Sequence, residues 1–137
     1  MHIKEAVIFP LQIKKSSIHG KGAYAKKKIP AKRKIGSLGG EIISIKEARK
    51  KAKEKISISI VELWNGKALD ASSDRVIRFI NHSCGPNTYM RTFNNHVEFY
   101  ALRAIFPGEE LSCNYGLTHH DGKRKCNCGA ANCKRFI

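Results

Sequence analysis

Short apolar stretches alternate with turn-forming residues over the first third of the chain, from Ala6 to Ile43. The breaks fall at Phe9-Pro10, His19-Gly20-Lys21-Gly22, Ile29-Pro30, Gly36 and Gly39-Gly40. Glycine and proline at such short intervals are typical of turns between strands. The pattern therefore predicts several short strands before residue 44.

The segment from Ser44 to Lys55 has a different pattern. Ser44 is a good helix cap, and Glu47 follows three residues later, as in a capping box. Alanine, lysine and arginine, which are good helix formers, fill the positions after it. The sequence predicts one helix here.

Period-two alternation returns after this helix, where isoleucines at 56, 58 and 60 are separated by serines. This alternation predicts a half-buried strand from Ile56 towards Trp64. Asn65-Gly66 is a hairpin turn signal, so a second strand is expected over Lys67 to Asp70.

Fewer elements are expected in the last half of the chain. Val76 to Ile80 predicts a short helix, His96 to Ile105 predicts a strand, and Pro107-Gly108 predicts a turn. The tail from His119 onward is polar and rich in cysteine, and it lacks the apolar residues for a core of its own. The predicted fold class is mainly β, in the sense of a β-rich α+β domain.

Length and charge limit the function classes. The chain has 137 residues, enough for one compact domain, and 26 Lys plus Arg against 11 Asp plus Glu give a net charge of +15. No apolar run approaches the roughly 20 residues of a membrane helix, and no signal-peptide pattern is evident, so we expect no membrane contact and a cytoplasmic or nuclear location. Phosphates of nucleic acid are a candidate partner of this charge, although solvated lysine faces are the commoner outcome.

The cysteines indicate a metal site. All five lie in the C-terminal part of the chain, and Cys126, Cys128 and Cys133 form a C-x-C-x4-C cluster. Three thiolates at this spacing can bind one zinc ion, and Cys84 is the best candidate for the fourth ligand. His119 and His120 are rival ligands. The alternative is that the cysteines are small buried hydrophobic residues.

Several strings of residues together resemble one known family. They are Gly20 to Tyr24, Leu38 to Glu41, Arg78-Phe79-Ile80-Asn81-His82-Ser83-Cys84-Gly85-Pro86-Asn87, Gly108 to Gly116, and the cluster from Cys126 to Cys133. In this order and at these separations they resemble a SET domain followed by its post-SET zinc motif. The resemblance implies a SET domain over 1–117, with a minimal insert around 44–70, and a zinc-binding tail over 118–137.

This resemblance implies a fold of small curved β-sheets in which the segments around Asn81 to Asn87 and Glu110 to Tyr115 interlock as a pseudoknot. It also implies a protein-lysine N-methyltransferase that uses S-adenosylmethionine. The residues it assigns to the cofactor are Lys21, Gly22, Ala23, Asn81, His82 and Asn127. Tyr115 would be the catalytic tyrosine at the mouth of a lysine channel lined by Leu38, Cys113 and Tyr115. Structural zinc would be held by Cys84, Cys126, Cys128 and Cys133.

The chain departs from the family pattern at three positions. Leu38 stands where a tyrosine is usual, Cys113 replaces the aromatic residue two positions before the catalytic tyrosine, and Asn114 replaces aspartate. The smaller Cys113 leaves more room for a methylated amine, which favours di- or trimethylation. Its thiol is either sensitive to oxidants or an inert packed group.

The substrate expected from the resemblance is a basic, lysine-rich protein such as a histone, a bacterial or archaeal nucleoid protein, or a ribosomal protein. Such a substrate is repelled by a +15 enzyme unless nucleic acid bridges the two. Export as an effector that acts in a host nucleus is an open alternative for its location. The competing functions are a zinc-containing nucleic-acid-binding module with weak or no catalysis, and a methyl-lysine reader, for which no aromatic cage is evident.

Overall fold

The computed structural model describes residues 1–54, 59–63, 65–115 and 125–136. Twelve strands are found within these ranges: β1 (His2–Ile3), β2 (Ala6–Val7), β3 (Leu11–Lys15), β4 (Lys21–Ala25), β5 (Lys34–Ser37), β6 (Gly40–Ser44), β7 (Ile60–Glu62), β8 (Lys67–Asp70), β9 (Asn81–His82), β10 (Thr88–Phe93), β11 (His96–Ala101) and β12 (Ser112–Cys113). One α-helix, α1 (Ile45–Lys53), and one short 3-10 helix (Ile77–Phe79) accompany them. None of the helices in these ranges has the length and apolar character needed to cross a membrane.

The strands form three small sheets. β3 and β4 make a two-stranded hairpin, β1-β6-β8-β7 make a four-stranded sheet, and β2-β5-β11-β10-β12-β9 make a six-stranded sheet. The prediction of a mainly β fold built from small sheets is confirmed.

Helix α1 begins where the capping pattern places it. The Ser44 hydroxyl accepts a hydrogen bond from the backbone N–H of Glu47 at 3.1 Å, which satisfies one of the unpaired amides of the first turn. Ala48 is buried, and Lys51 reaches Asp70 on β8 at 2.7 Å. The helix is thereby attached to the four-stranded sheet.

The predicted hairpin after α1 is present. β7 and β8 pair antiparallel, and Gly66 in the turn has a φ of +77°, a conformation that glycine adopts without steric cost. The first part of the predicted strand, at 56–58, and Trp64 lie outside the described residues.

Two local expectations need correction in the middle of the chain, and one strand there was not expected. The predicted helix over Val76 to Ile80 is only a 3-10 turn, and the predicted strand from His96 ends at Ala101, before Ile105. β10 was not predicted, although it pairs with all of β11. The turn between β10 and β11 consists of Asn94 and Asn95, both at positive φ, and asparagine tolerates this conformation better than most residues.

The hydrophobic core lies between the sheets and includes residues from both halves of the chain. Its largest fully buried side chains are Ile29, Ile35, Leu69, Ile77, Ile80, Ile105 and Leu111. Isolated β-bridges, such as Ile29 to Ile105, link distant segments across this core. The core therefore fixes the 3-10 turn and β12, which border the site described below.

The interlocking predicted for the C-terminal half is visible in the strand order. β12 lies between β9 and β10 and pairs parallel with both, although β9 and β10 are joined directly by 83–87. Ser83 N–H donates to Cys113 O at 3.0 Å, and Ser112 N–H donates to the Asn87 side chain at 2.9 Å. The 81–87 segment thus wraps around β12 and is bonded to it at both ends.

Candidate functional site

A cavity of about 140 Å³ opens where the β3–β4 turn, β9 and the C-terminal tail meet. Its walls are formed by Ile18, His19, Asn81, His82, Tyr115, Lys125, Cys126 and Asn127. Four of the residues expected in the site, Asn81, His82, Tyr115 and Asn127, therefore surround one space.

The side chain of Asn81 links β9 to the turn between β3 and β4, and both of these elements line the cavity. Its side-chain amide nitrogen lies 3.0 Å from His19 O and 3.1 Å from Lys21 O, and it donates to both carbonyls. Lys21 begins β4, followed by the buried residues Gly22 and Ala23. The structure thus brings the expected cofactor residues of β4 next to Asn81, because one amide bonds to the backbone of that turn.

His82 links the cavity to the cysteine cluster. Its Nδ1 accepts from the backbone N–H of Tyr115 at 3.0 Å, so its proton belongs on Nε2, which lies 3.4 Å from Cys84 Sγ. Burial, together with the positive charge of Lys134, lowers the pKa of His82 below its usual value. The neutral imidazole can therefore act as acceptor on one side and donor on the other.

Tyr115 lies at the open side of the cavity. Its hydroxyl donates to Ile80 O at 2.6 Å, its ring centroid is 5.2 Å from that of His82, and 39% of its surface is exposed. Because its ring and its hydroxyl are both held in place while part of the side chain is exposed, Tyr115 can contact a substrate in a fixed orientation.

The two other expected channel residues lie deeper than Tyr115. Leu38 is 3% exposed and Cys113 is 1% exposed, and both belong to the hydrophobic core and not to the lining of the cavity. Burial raises the pKa of the Cys113 thiol to about 11. The structure therefore favours the inert, packed form of this thiol over an oxidant-sensitive one.

The four cysteines expected to bind zinc converge beside the cavity. The sulfur atoms of Cys84, Cys126, Cys128 and Cys133 all lie within 4.8 Å of one another. A tetrahedral zinc ion with Zn–S bonds of about 2.3 Å separates its sulfurs by about 3.8 Å, so this group fits zinc after small adjustments. His119 and His120, the rival ligands, lie outside the described residues.

Backbone N–H groups also donate hydrogen bonds to the sulfur atoms of this cluster, which favours binding of a cation. Cys84 N–H donates to Cys128 Sγ at 3.4 Å, and Lys134 N–H donates to Cys84 Sγ at 3.3 Å. Burial raises the pKa of Cys128, but the hydrogen bonds from backbone N–H groups outweigh this effect and lower it. Donors directed at sulfur stabilise thiolates, which are the form that binds zinc.

Several residues of the site were not expected from the sequence. His19 and Lys125 line the cavity, and Ser16 and Glu110 form a hydrogen-bonded group behind its wall. The chain around Glu110 was recognised as part of a motif, but nothing local to it indicates its partners. Only the antiparallel contact between β4 and the 108–111 segment brings them together.

Comparisons with known proteins agree with this geometry. A family model described as "SET domain" matches residues 20–116. The chain is 32% identical to "Histone-lysine N-methyltransferase 2B" of Homo sapiens over 99% of its own length and 5% of that protein. It is 39% identical to "Histone-lysine N-methyltransferase ATXR7" of Arabidopsis thaliana over 89% of its length and 9% of that protein. The chain thus spans less than a tenth of either of these two relatives.

Proposed function

Because the chain belongs to the SET-domain family, we propose that it is a protein-lysine N-methyltransferase that uses S-adenosylmethionine. The observation that carries this proposal is the convergence of Asn81, His82, Tyr115 and Asn127 on one cavity. These residues come from a short strand, the segment that follows β12, and the tail, so their meeting is a property of the fold.

The polar groups around the cavity are complementary to those of this cofactor. The carbonyl oxygens of His19 and Lys21 face Asn81 and are acceptors of the kind that an ammonium group needs, while the cation of Lys125 suits a carboxylate. The methionine end of S-adenosylmethionine carries both groups. Residues Lys21, Gly22, Ala23, Asn81, His82 and Asn127 would hold the cofactor, which supplies an electrophilic methyl group on a sulfonium when bound.

Tyr115 would position the amine that receives the methyl group. With its proton donated to Ile80 O, the hydroxyl oxygen acts as an acceptor towards a substrate amine. A channel that excludes water favours the neutral lysine, since desolvation penalises the charged form. We propose that Tyr115 forms the mouth of this channel and that Leu38 and Cys113 lie deeper, in the packed core and outside the cavity lining. The small Cys113 side chain would then favour di- or trimethylation by leaving more room near the methylated amine.

The proposed substrate is a lysine-rich chromatin or nucleoid protein, with histones as the first candidates, since relatives of this chain are named histone-lysine methyltransferases. We also propose that DNA phosphates contact the enzyme, because a net charge of +15 repels a basic substrate in isolation. The exposed lysines of α1, at Lys46, Lys50 and Lys53, share one face of the helix with Arg49 and form the proposed contact. The enzyme would then act where chromatin or a nucleoid is found.

The test is intact-mass spectrometry of the protein after incubation with S-adenosylmethionine and a panel of histones and nucleoid proteins. Mass increments of one methylene each on a panel member, greatly reduced with Tyr115→Phe, are the expected result. The loss should be about 100-fold in turnover, with cofactor binding nearly unchanged. Added mass on the enzyme itself would reveal automethylation.

The alternative function gives a different result in the same experiment. A zinc-containing nucleic-acid-binding module would bind DNA but would neither bind S-adenosylmethionine nor transfer a methyl group. Equal turnover by the wild type and Tyr115→Phe would remove Tyr115 from the mechanism.

A further inference from the structure

The carboxylate of Glu110 collects hydrogen bonds from three separate segments behind the cavity wall. It accepts from the Ser16 hydroxyl at 2.7 Å, the Tyr24 hydroxyl at 3.2 Å and the Asn81 side-chain amide at 3.1 Å. Burial, with the negative charge of Glu110, raises the pKa of Tyr24. A carboxylate is an acceptor-only group with room for about four donors, so it can satisfy all three of these partners.

Gly22 leaves the space that Glu110 fills. A Cβ atom built on Gly22 would overlap a carboxylate oxygen of Glu110 and lie 2.9 Å from its Cδ. Cβ atoms in proteins almost never lie this close to another heavy atom, so any residue larger than glycine would displace either the carboxylate or strand β4. The close approach of β4 to Glu110 therefore depends on the glycine.

Two of the three partners of Glu110 in turn hold part of the cavity wall. The Ser16 hydroxyl oxygen accepts the backbone N–H of Ile18 at 2.9 Å, and Ile18 lines the cavity. Asn81 bonds to the carbonyls of His19 and Lys21. Two chains of hydrogen bonds thus run from one carboxylate to the turn between β3 and β4.

We propose that Glu110 is a positioning residue that fixes the β3–β4 turn and Asn81 in the arrangement needed to bind the cofactor. This inference rests on the proposed function. Glu110 does not line the cavity itself and acts through Ser16 and Asn81, while Tyr24 is a third donor to its carboxylate. A glutamine in its place keeps the shape but presents an amide donor to a group made up of donors, so the turn and Asn81 would lose their common anchor.

The first experiment measures the Kd of S-adenosylmethionine and S-adenosylhomocysteine by calorimetry for the wild type, Glu110→Gln and Glu109→Gln. Glu109 is a matched control, because it is the adjacent carboxylate and binds Arg103 and the Phe106 N–H near the surface. We expect Glu110→Gln to weaken both ligands about tenfold or more, as the loss of a charged hydrogen-bonding partner does, and Glu109→Gln to leave them unchanged. In turnover assays, the KM for the cofactor should rise while kcat at saturation changes little.

The outcomes separate this inference from the proposed function. A wild type that binds neither ligand overturns both. A wild type that binds, with the same Kd in folded Glu110→Gln, overturns the positioning role alone. A loss of thermal stability without a change in Kd also overturns it, because Glu110 would then be a purely structural residue.

A second experiment uses the contact between Glu110 and Gly22. Gly22→Ala should weaken cofactor binding in the wild-type background but much less when Glu110→Ala has removed the overlapping carboxylate. This double-mutant cycle should therefore be non-additive in both Kd and Tm. Additive effects would contradict the proposal, since they would mean that the two positions act independently.

Discussion

At the scale of single residues, Cys113 combines a reactive group with an inaccessible position. Its thiol is 1% exposed and its pKa is raised by burial to about 11, so at pH 8 only about one thiol in a thousand is ionised. Thiolates are the form that reacts with alkylating reagents and oxidants.

We therefore predict that iodoacetamide at pH 8 leaves Cys113 unmodified in the folded protein and modifies it in denaturant. Peptide mapping by mass spectrometry distinguishes it from the four cysteines of the cluster, and Cys113→Ser identifies its peptide. Rapid modification of Cys113 under native conditions would show that the core around it opens readily, contrary to its burial.

The position of a residue in the site can be predicted from the sequence for some residues and not for others. Asn81, His82 and Tyr115 stand in strings recognisable without a structure, and they do meet at one cavity. Glu110 stands in such a string too, but its bonds to Ser16 and Tyr24 span 94 and 86 positions. No local pattern encodes a contact of that separation, since it depends on how β4 and the 108–111 segment pack.

At the scale of elements, α1 is attached to its sheet by the ion pair between Lys51 and Asp70. Asp70 also accepts from the Ser72 hydroxyl at 2.6 Å. Burial raises the pKa of Asp70, but the hydrogen bonds from Lys51 and Ser72 outweigh it and lower the pKa below the usual value. A carboxyl whose pKa is lowered by folding stabilises the fold above its unfolded pKa of about 4 and loses that contribution as pH falls through its folded pKa.

We predict that Asp70→Asn costs about 1 kcal/mol at pH 7 and almost nothing near pH 2. Urea unfolding at a series of pH values measures the difference. Glu62→Gln is the control, because Glu62 faces Arg49 at 3.8 Å with both side chains largely exposed, and little change is expected there. A cost of Asp70→Asn that did not vary with pH would show that the charge is unimportant.

The C-terminal element depends on its cysteines. Within 125–136, Cys126 is the one buried residue, and the backbone is linked by a bridge between Lys125 and Phe136. A segment with so little buried apolar surface cannot offset its conformational entropy without a metal.

We predict one zinc ion per chain, and we expect a strong chelator or Cys128→Ser to remove hydrogen-exchange protection from 125–136. Affinity for S-adenosylmethionine should fall at the same time, because Lys125 and Asn127 line the cavity. Cys113→Ser should retain the metal. Full protection and affinity after metal removal would contradict a zinc-dependent tail.

Elements with local signals could be predicted, and elements without them could not. The Ser44 cap, the Asn65-Gly66 turn and the Pro107-Gly108 turn were predicted correctly, because each depends on the conformational preference of neighbouring residues. β10 was not predicted, because its sequence alternates only weakly between polar and apolar residues. The two asparagines that follow it were also not recognised as a turn. The two-residue β12 exists only because β9 and β10 lie on either side of it.

At the scale of the whole molecule, the excess of positive charge predicts how affinity for DNA depends on salt concentration. Affinity for duplex DNA should fall linearly on a plot of log K against log salt, with a slope of about −0.9 per phosphate contact. If α1 forms the contact, replacing Lys46, Lys50 and Lys53 by glutamine should reduce the slope by about 3.

The matched control replaces Lys26, Lys27 and Lys28, which are also exposed and remove the same charge from another surface. Fluorescence anisotropy with a labelled duplex over a salt series measures both variants. Equal losses for the two triple variants would mean that net charge alone attracts DNA, and would exclude α1 as a specific contact surface.

The position of β12 between β9 and β10 also determines when this part of the fold can form. These pairings join Asn81 to Ser112, which are 31 positions apart, and Thr88 to Cys113, which are 25 apart. They cannot form before the 83–87 loop and the segment it surrounds have both been synthesised. Tyr115 lies two residues after β12 and donates its backbone N–H to His82 on β9, so its position in the cavity wall is fixed together with these pairings. A chain that ends before β12 would lack the part of the cavity wall that Tyr115 forms, so the proposed site requires the C-terminal segment to be in place.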